Sequence, residues 1–269
     1  MAAVTSESLA AVLQEQARAV ESADLTVAEE LFGAVDVLDS SSALRRSLTD
    51  PAREPDERAS VVRGLFGEKV APTTLALLEA LVSKRFSRDR DLADSVETLA
   101  VTVVAQQAEA EGIDGLEQLE TQLLAFRRTV GSSHEVQRAL TEPQAGAKAL
   151  RTLASRLSPD ANAEARLLID RAVVAPRGLR PEALVERFTE QVAARQSRWI
   201  ARVTVAQELD ADRRERLRAS LDRYFGRELK LDVVVDPDVV GGIRVQVGDE
   251  VVDSTISAKV DDLQRRLAG

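Results

Sequence analysis

Six residues recur almost unchanged in this chain. Arg46-Ser-Leu-Thr-Asp-Pro51 returns as Arg138-Ala-Leu-Thr-Glu-Pro143, a displacement of 92 residues (143 − 51). Without gaps, the same displacement pairs Leu31 with Leu123, Val61 with Leu153, Leu65 with Leu157 and Leu75 with Leu167. It continues through Val82 with Val174, Arg85 with Arg177 and Leu92 with Leu184. Single Leu–Leu matches are cheap in a Leu-rich chain, but a shared motif with a shared apolar phase is not. The reading is an internal duplication of a helical domain. The first helix of copy two then falls on the last helix of copy one, around residues 92–110. The copies are expected to join through a continuous or barely broken helix at Glu109–Gly112.

The periodicity within each copy is helical. Leu9, Val12, Leu13, Ala17 and Val20 share a face behind a cap at Thr5 or Ser6, and a second helix is predicted from Val27 to Leu38. The Ser run at 40–42 interrupts, and Leu44–Leu48 forms a short helix before Asp50-Pro51. Pro55 and Pro72 suit first helical positions, and a further helix is predicted from Asp91. With aromatics at only 3%, the cores are built from Ala, Leu and Val, which suits close helix–helix packing.

After Trp199 the period changes. Ala201, Val203 and Val205 alternate with Arg202, Thr204 and Ala206, as a strand does. Asp210 can cap a helix that runs through Phe225 and stops at Gly226, with Leu217, Leu221 and Tyr224 inward. Strands are predicted at Leu229–Val235, Val239–Val247 and Val251-Val252, with turns at Asp236-Pro237-Asp238 and Gly248-Asp249. The pair Gly241-Gly242 is expected to make a bulge inside the second of these strands. A last helix, capped from Asp253, Ser254 or Thr255, carries Ile256, Val260, Leu263 and Leu267. The expected architecture is mainly α: two tandem six-helix-type bundles at 1–105 and 106–198, followed by a small α/β domain at 199–269.

No residue set assembles a catalytic centre. Asp236, Asp238, Asp249 and Glu250 lie two to a turn, without the wrapped spacing of a hard-cation loop. Gly241-Gly242 has neither a following helix N-terminus nor a Lys-Ser/Thr, so it is no phosphate loop. His134, the sole histidine, stands beside Ser132 and Ser133 with no acid or oxyanion hole indicated and reads as a solvated helix start. Arg195, Arg198 and Arg202 flank the sole tryptophan, Trp199, but one aromatic is a poor platform for nucleic acid, and inter-domain packing is expected of it. A net charge of −9 argues against phosphate-backbone binding, and zero cysteines exclude disulfides and thiolate metal sites. The N-terminus lacks the pattern of a signal peptide, and no apolar run reaches spanning length. Neither cofactor nor metal is expected.

The C-terminal stretch Val233-Val-Val-Asp-Pro-Asp-Val-Val-Gly-Gly-Ile243, with Gly248-Asp249 and Asp253-Ser-Thr-Ile256, resembles the signature of the delta subunit family of F-type ATP synthases, the oligomycin-sensitivity-conferral protein family. Asp236, Pro237, Gly241, Gly242, Gly248, Asp249 and Asp253 carry it as structural residues. Ala201-x-Val203-x-x-Ala206-x-x-Leu209 and Leu81-Val-Ser-Lys-Arg85 resemble the family elsewhere. Thr255 stands where Ser is common, and a second helical copy replaces the usual single one, as in actinobacterial forms. The resemblance implies a non-catalytic stator subunit. Its helical domain would bind the alpha subunits of the catalytic head, beside the adjoining beta subunits, and its C-terminal domain the b subunit of the peripheral stalk. One copy per complex, at the cytoplasmic face of the membrane without insertion and without nucleic acid, follows from the same resemblance. A helical-repeat adaptor unrelated to ATP synthesis is the competing reading, and a nucleic-acid-binding regulator a third.

Overall fold

The computed structural model describes residues 3–226, 228–237, 239, 242–248 and 250–253. The final helix expected to follow Asp253, where the described residues end, lies outside them, as do Asp238, Gly241 and Asp249. The chain divides into two compact units, Met1–Val192 and Ala193–Gly269.

The first unit is helical. In order come α1 (Ala3–Glu15), α2 (Ala17–Glu21), α3 (Leu25–Ser40), α4 (Ser42–Thr49), α5 (Pro55–Phe66) and α6 (Pro72–Ser83). They are followed by α7 (Asp89–Glu109), α8 (Ile113–Gly131), α9 (His134–Leu140), α10 (Ala147–Leu157), α11 (Ala163–Val174) and α12 (Pro181–Gln196). Proline opens α5, α6 and α12, where its missing N–H has no intrahelical partner to lose. Asp24 caps α3 by accepting from the Val27 N–H, and Asn162 caps α11 by accepting from Ala165. Thr5 is no cap. It lies inside α1, buried, and donates to Asp91 Oδ2 at 2.7 Å, because α1 begins earlier, at Ala3.

The 92-residue displacement recurs in the helix boundaries, the caps and the burial pattern. It carries α3 to α7 onto α8 to α12: Ser42, which opens α4, falls on His134, which opens α9, and Pro55 falls on Ala147, which opens α10. The caps repeat as well, Ser41 accepting from Leu44 N–H and Ser133 from Val136 N–H. Leu31, Leu48, Val62 and Leu92 are buried, and so are their counterparts Leu123, Leu140, Ala154 and Leu184. The first helix expected of each copy is α1 with α2 in copy one; in copy two it is the second half of α7. Helix α7 therefore serves both copies. It touches α1, α2, α3, α4 and α6 on one side of the repeat and α8 and α11 on the other. From Leu92 to Ala108 it buries twelve residues, far more than a one-faced surface helix would. The break to α8 takes three residues and ends at Gly112, at φ 76°. A Cβ on Gly115 would collide with the Ala108 carbonyl, so the chain doubles back tightly there.

The second unit begins with a 3-10 turn, Ser197–Trp199, and contains β1 (Ile200–Val205), α13 (Ala211–Phe225), β2 (Lys230–Val235), β3 (Ile243–Val247) and β4 (Glu250–Asp253). The sheet order is β2-β1-β3-β4. Strand β2 runs parallel to β1, reached through the α13 crossover, with Val203 opposite Val233. Strand β3 lies antiparallel on the other side, with Val203 opposite Val245. The alternating Ala201, Val203 and Val205 are buried with Leu221, Leu229, Val245 and Val247, and Leu217 and Phe225 of α13 pack on them. Gly226, at φ 69°, closes α13.

Candidate interaction surfaces

Within the helical unit the two copies meet across a charged seam. Arg177 follows α11, and its side chain is only 5% exposed. Its Nε donates to Asp39 Oδ2 at 2.6 Å, Nη2 lies 2.8 Å from Asp94 Oδ1, and Nη1 lies 3.0 Å from Glu97 Oε2. Glu97 is wholly buried and also receives Arg187 at 3.1 Å. Arg171 pairs with Asp36 at 2.6 Å and stacks 5.2 Å over the Phe32 ring, which itself leans on Phe188. In every one of these pairs the arginine comes from copy two and the carboxylate from copy one. Burial works against the charge on Arg177. The hydrogen bond to Asp39 and the charges of Glu97 and Asp94 more than offset it, and the guanidinium is held above its ordinary pKa. Arg177 also takes φ 54°, the one positive φ outside glycine among the described residues, as the loop bends to aim it. Residue spacing carries no sign of this seam, because its partners lie up to 138 positions apart.

In the second unit, the described signature residues lie at strand ends and in turns. The Asp236 N–H donates to the Val205 carbonyl at 2.8 Å, which pins the end of β2 to β1, and the Asp236 carbonyl accepts from Val239. Pro237 stands in the turn that follows. Gly242, at φ 80°, precedes β3 and does not interrupt it. At Gly242 the expected bulge inside a strand is therefore corrected: β1 ends at Val205, whose partner is Ile243, and no residue of β1 remains for Gly242 to pair with. Gly248, at φ 58°, turns β3 into β4, and Asp253 ends β4 opposite Arg244. Gly241 and Asp249 are outside the described residues.

The other candidates stand apart. His134 is exposed at the start of α9, and Trp199 is half-buried in the 3-10 turn. Arg202 pairs with Asp232 at 2.9 Å across β1 and β2. Among the described residues no group of three or more histidine or acidic side chains could hold a metal ion, and no helix is long and apolar enough to cross a membrane.

The fold thus defines a class: a duplicated helical unit whose buried charges tie its copies to each other, followed by a small α/β unit with a βαβ crossover. The ATP synthase delta (OSCP) subunit family matches residues 99–267, well over half of the chain, and the chain belongs to that family. It is 48% identical to the ATP synthase subunit delta of Pseudarthrobacter chlorophenolicus, with 100% of both chains covered. It is 49% identical to that of Arthrobacter sp. FB24 and 47% identical to that of Renibacterium salmoninarum, again over 100% of each. The family match begins inside α7, at the place that the repeat equates with α1 (99 − 92 = 7).

Proposed function

We propose that this chain is the peripheral-stalk subunit that joins the alpha subunits of an F-type ATP synthase head to the b subunit and resists the torque of the rotor. The observation that carries this reading is the extent of the likeness. Relatives called ATP synthase subunit delta align with both helical copies and with the sheet unit, end to end. The helical part, residues 1–198, binds the head beside the adjoining beta subunits, and 199–269 receives the stalk. Asp236, Pro237, Gly241, Gly242, Gly248, Asp249 and Asp253 shape that last domain. The subunit catalyses nothing itself; it reaches the cytoplasmic face of the membrane through the complex, one copy to each. Amphipathic helices seated in grooves suit such a coupling, since main-chain polar groups are satisfied within each helix and apolar faces supply the contact.

Titration of the full chain with a peptide from the alpha N-terminus, and separately with a soluble C-terminal segment of b, tests the reading. Both are expected to bind, and to bind together. A chain that takes neither is not a stalk subunit.

A further inference from the structure

Two glycines make the turn between α7 and α8. Gly112 takes φ 76°, which a residue with a Cβ adopts only at a cost. Gly115 passes under the end of α7, where a Cβ would lie 2.0 Å from the Ala108 carbonyl oxygen. The rest of the turn is suited to helix. Ala108, Glu109, Ala110 and Glu111 are good helix formers, and Ala110 keeps helical angles, φ −60° and ψ −24°. The two helix ends are poorly finished: α8 starts without a side-chain cap, and α7 ends in Glu109 with no basic residue in its last turn. Without its glycines the stretch would run straight, as one helix from Asp89 to Gly131.

A straightened chain is incomplete alone. It lifts α8 and α11 off α7 and draws Arg171 and Arg177 away from Asp36, Asp39, Asp94 and Glu97. A second straightened chain restores all of these contacts, because its α8 and α11 meet the first chain's α7 and its arginines meet the first chain's carboxylates. The same residues are buried in both forms, and only the two turns differ. The parting is simple as well. Outside α7 the copies meet chiefly at α3 and α11, whose seam borders a cleft of about 350 Å³ rather than an interlocked core.

We propose that the α7–α8 turn is a hinge for domain exchange. Bent, it keeps the chain a monomer; straight, it pairs the chain with a second copy of itself through exchanged α8–α12 bundles. Gly112 and Gly115 set the balance, since alanine at either position strains the bent form and favours the straight one. The hinge works in the free chain and does not depend on what the chain binds.

The test uses the full chain, which has no cysteine of its own, with Gly33→Cys and Leu167→Cys placed on opposite walls of the α3–α11 cleft. A bifunctional maleimide then joins the two walls. With its own glycines the chain is expected to sediment as a monomer and to form crosslinks within one chain. Gly112→Ala with Gly115→Ala is expected to raise the dimerisation constant at least about a hundredfold and to turn the crosslinks into covalent dimers on a denaturing gel. A helical double variant that stays monomeric overturns the hinge, and so does a dimer whose crosslinks remain within one chain. Should the double variant lose its helices by circular dichroism, the chain with its own glycines decides, unfolded and refolded at high concentration. Covalent dimers there support the exchange, and crosslinks confined to single chains overturn it.

Discussion

Arg85 and Arg177 occupy the same position of the repeat and do opposite work. Arg85 is exposed, whereas Arg177 is enclosed by Asp39, Asp94 and Glu97. The difference lies in what each loop faces. Copy one has solvent there, and copy two has copy one. Removing one member of a buried ion network leaves the others desolvated and unpaired, at a cost of about 3–5 kcal/mol. Arg177→Ala is therefore expected to destabilise the helical unit by about that amount in urea or thermal unfolding. Arg85→Ala is expected to change stability by no more than about 0.5 kcal/mol. Equal effects of the two substitutions would show that the seam contributes nothing beyond surface charge.

At the scale of elements, local chemistry was legible to within a few residues. Ser runs, Pro51, Pro55 and Pro72 punctuate the helices as their backbone limits require, and the alternation at 201–205 becomes β1. What spacing did not reveal is which strands pair. Alternation says that a strand has two faces, not which neighbour it takes, so the parallel β1–β2 pair emerges only from the α13 crossover. The hairpin between β3 and β4 was readable, because Gly248-Asp249 is turn chemistry. Gly248 holds φ 58°, and a Cβ would press Arg198 Cγ at 3.3 Å. Gly248→Ala is expected to cost about 1–2 kcal/mol, the penalty of a left-handed conformation for a residue with a Cβ. Calorimetry should register that cost in the C-terminal unit's transition, with the helical unit unmoved. A full-size loss in the helical transition instead would contradict the division into two units.

At the scale of the whole molecule, α7 makes the copies interdependent. It is the last helix of one and the first of the next, and it is buried by both. A fragment ending at Glu111 would uncover the face that α8 and α11 protect and would strand Asp39, Asp94 and Glu97 without their arginines. Its urea midpoint is expected to fall below that of residues 1–192 by on the order of 1 M. Equal midpoints would mean that copy one is autonomous.

The sequence by itself determined the helical phase, the breaks, the cap at Asp210, the 92-residue repeat and the strand alternation of the C-terminal unit. These are written in neighbours three, four or two positions apart, where backbone geometry fixes which side chains share a face. Only the tertiary structure decided that β2 lies beside β1, that Arg177 is buried while its counterpart is exposed, and that α3 and α11 leave a groove. Those outcomes depend on residues brought together from far along the chain. A repeat specifies what each copy is, but packing determines which surface of each copy the other covers.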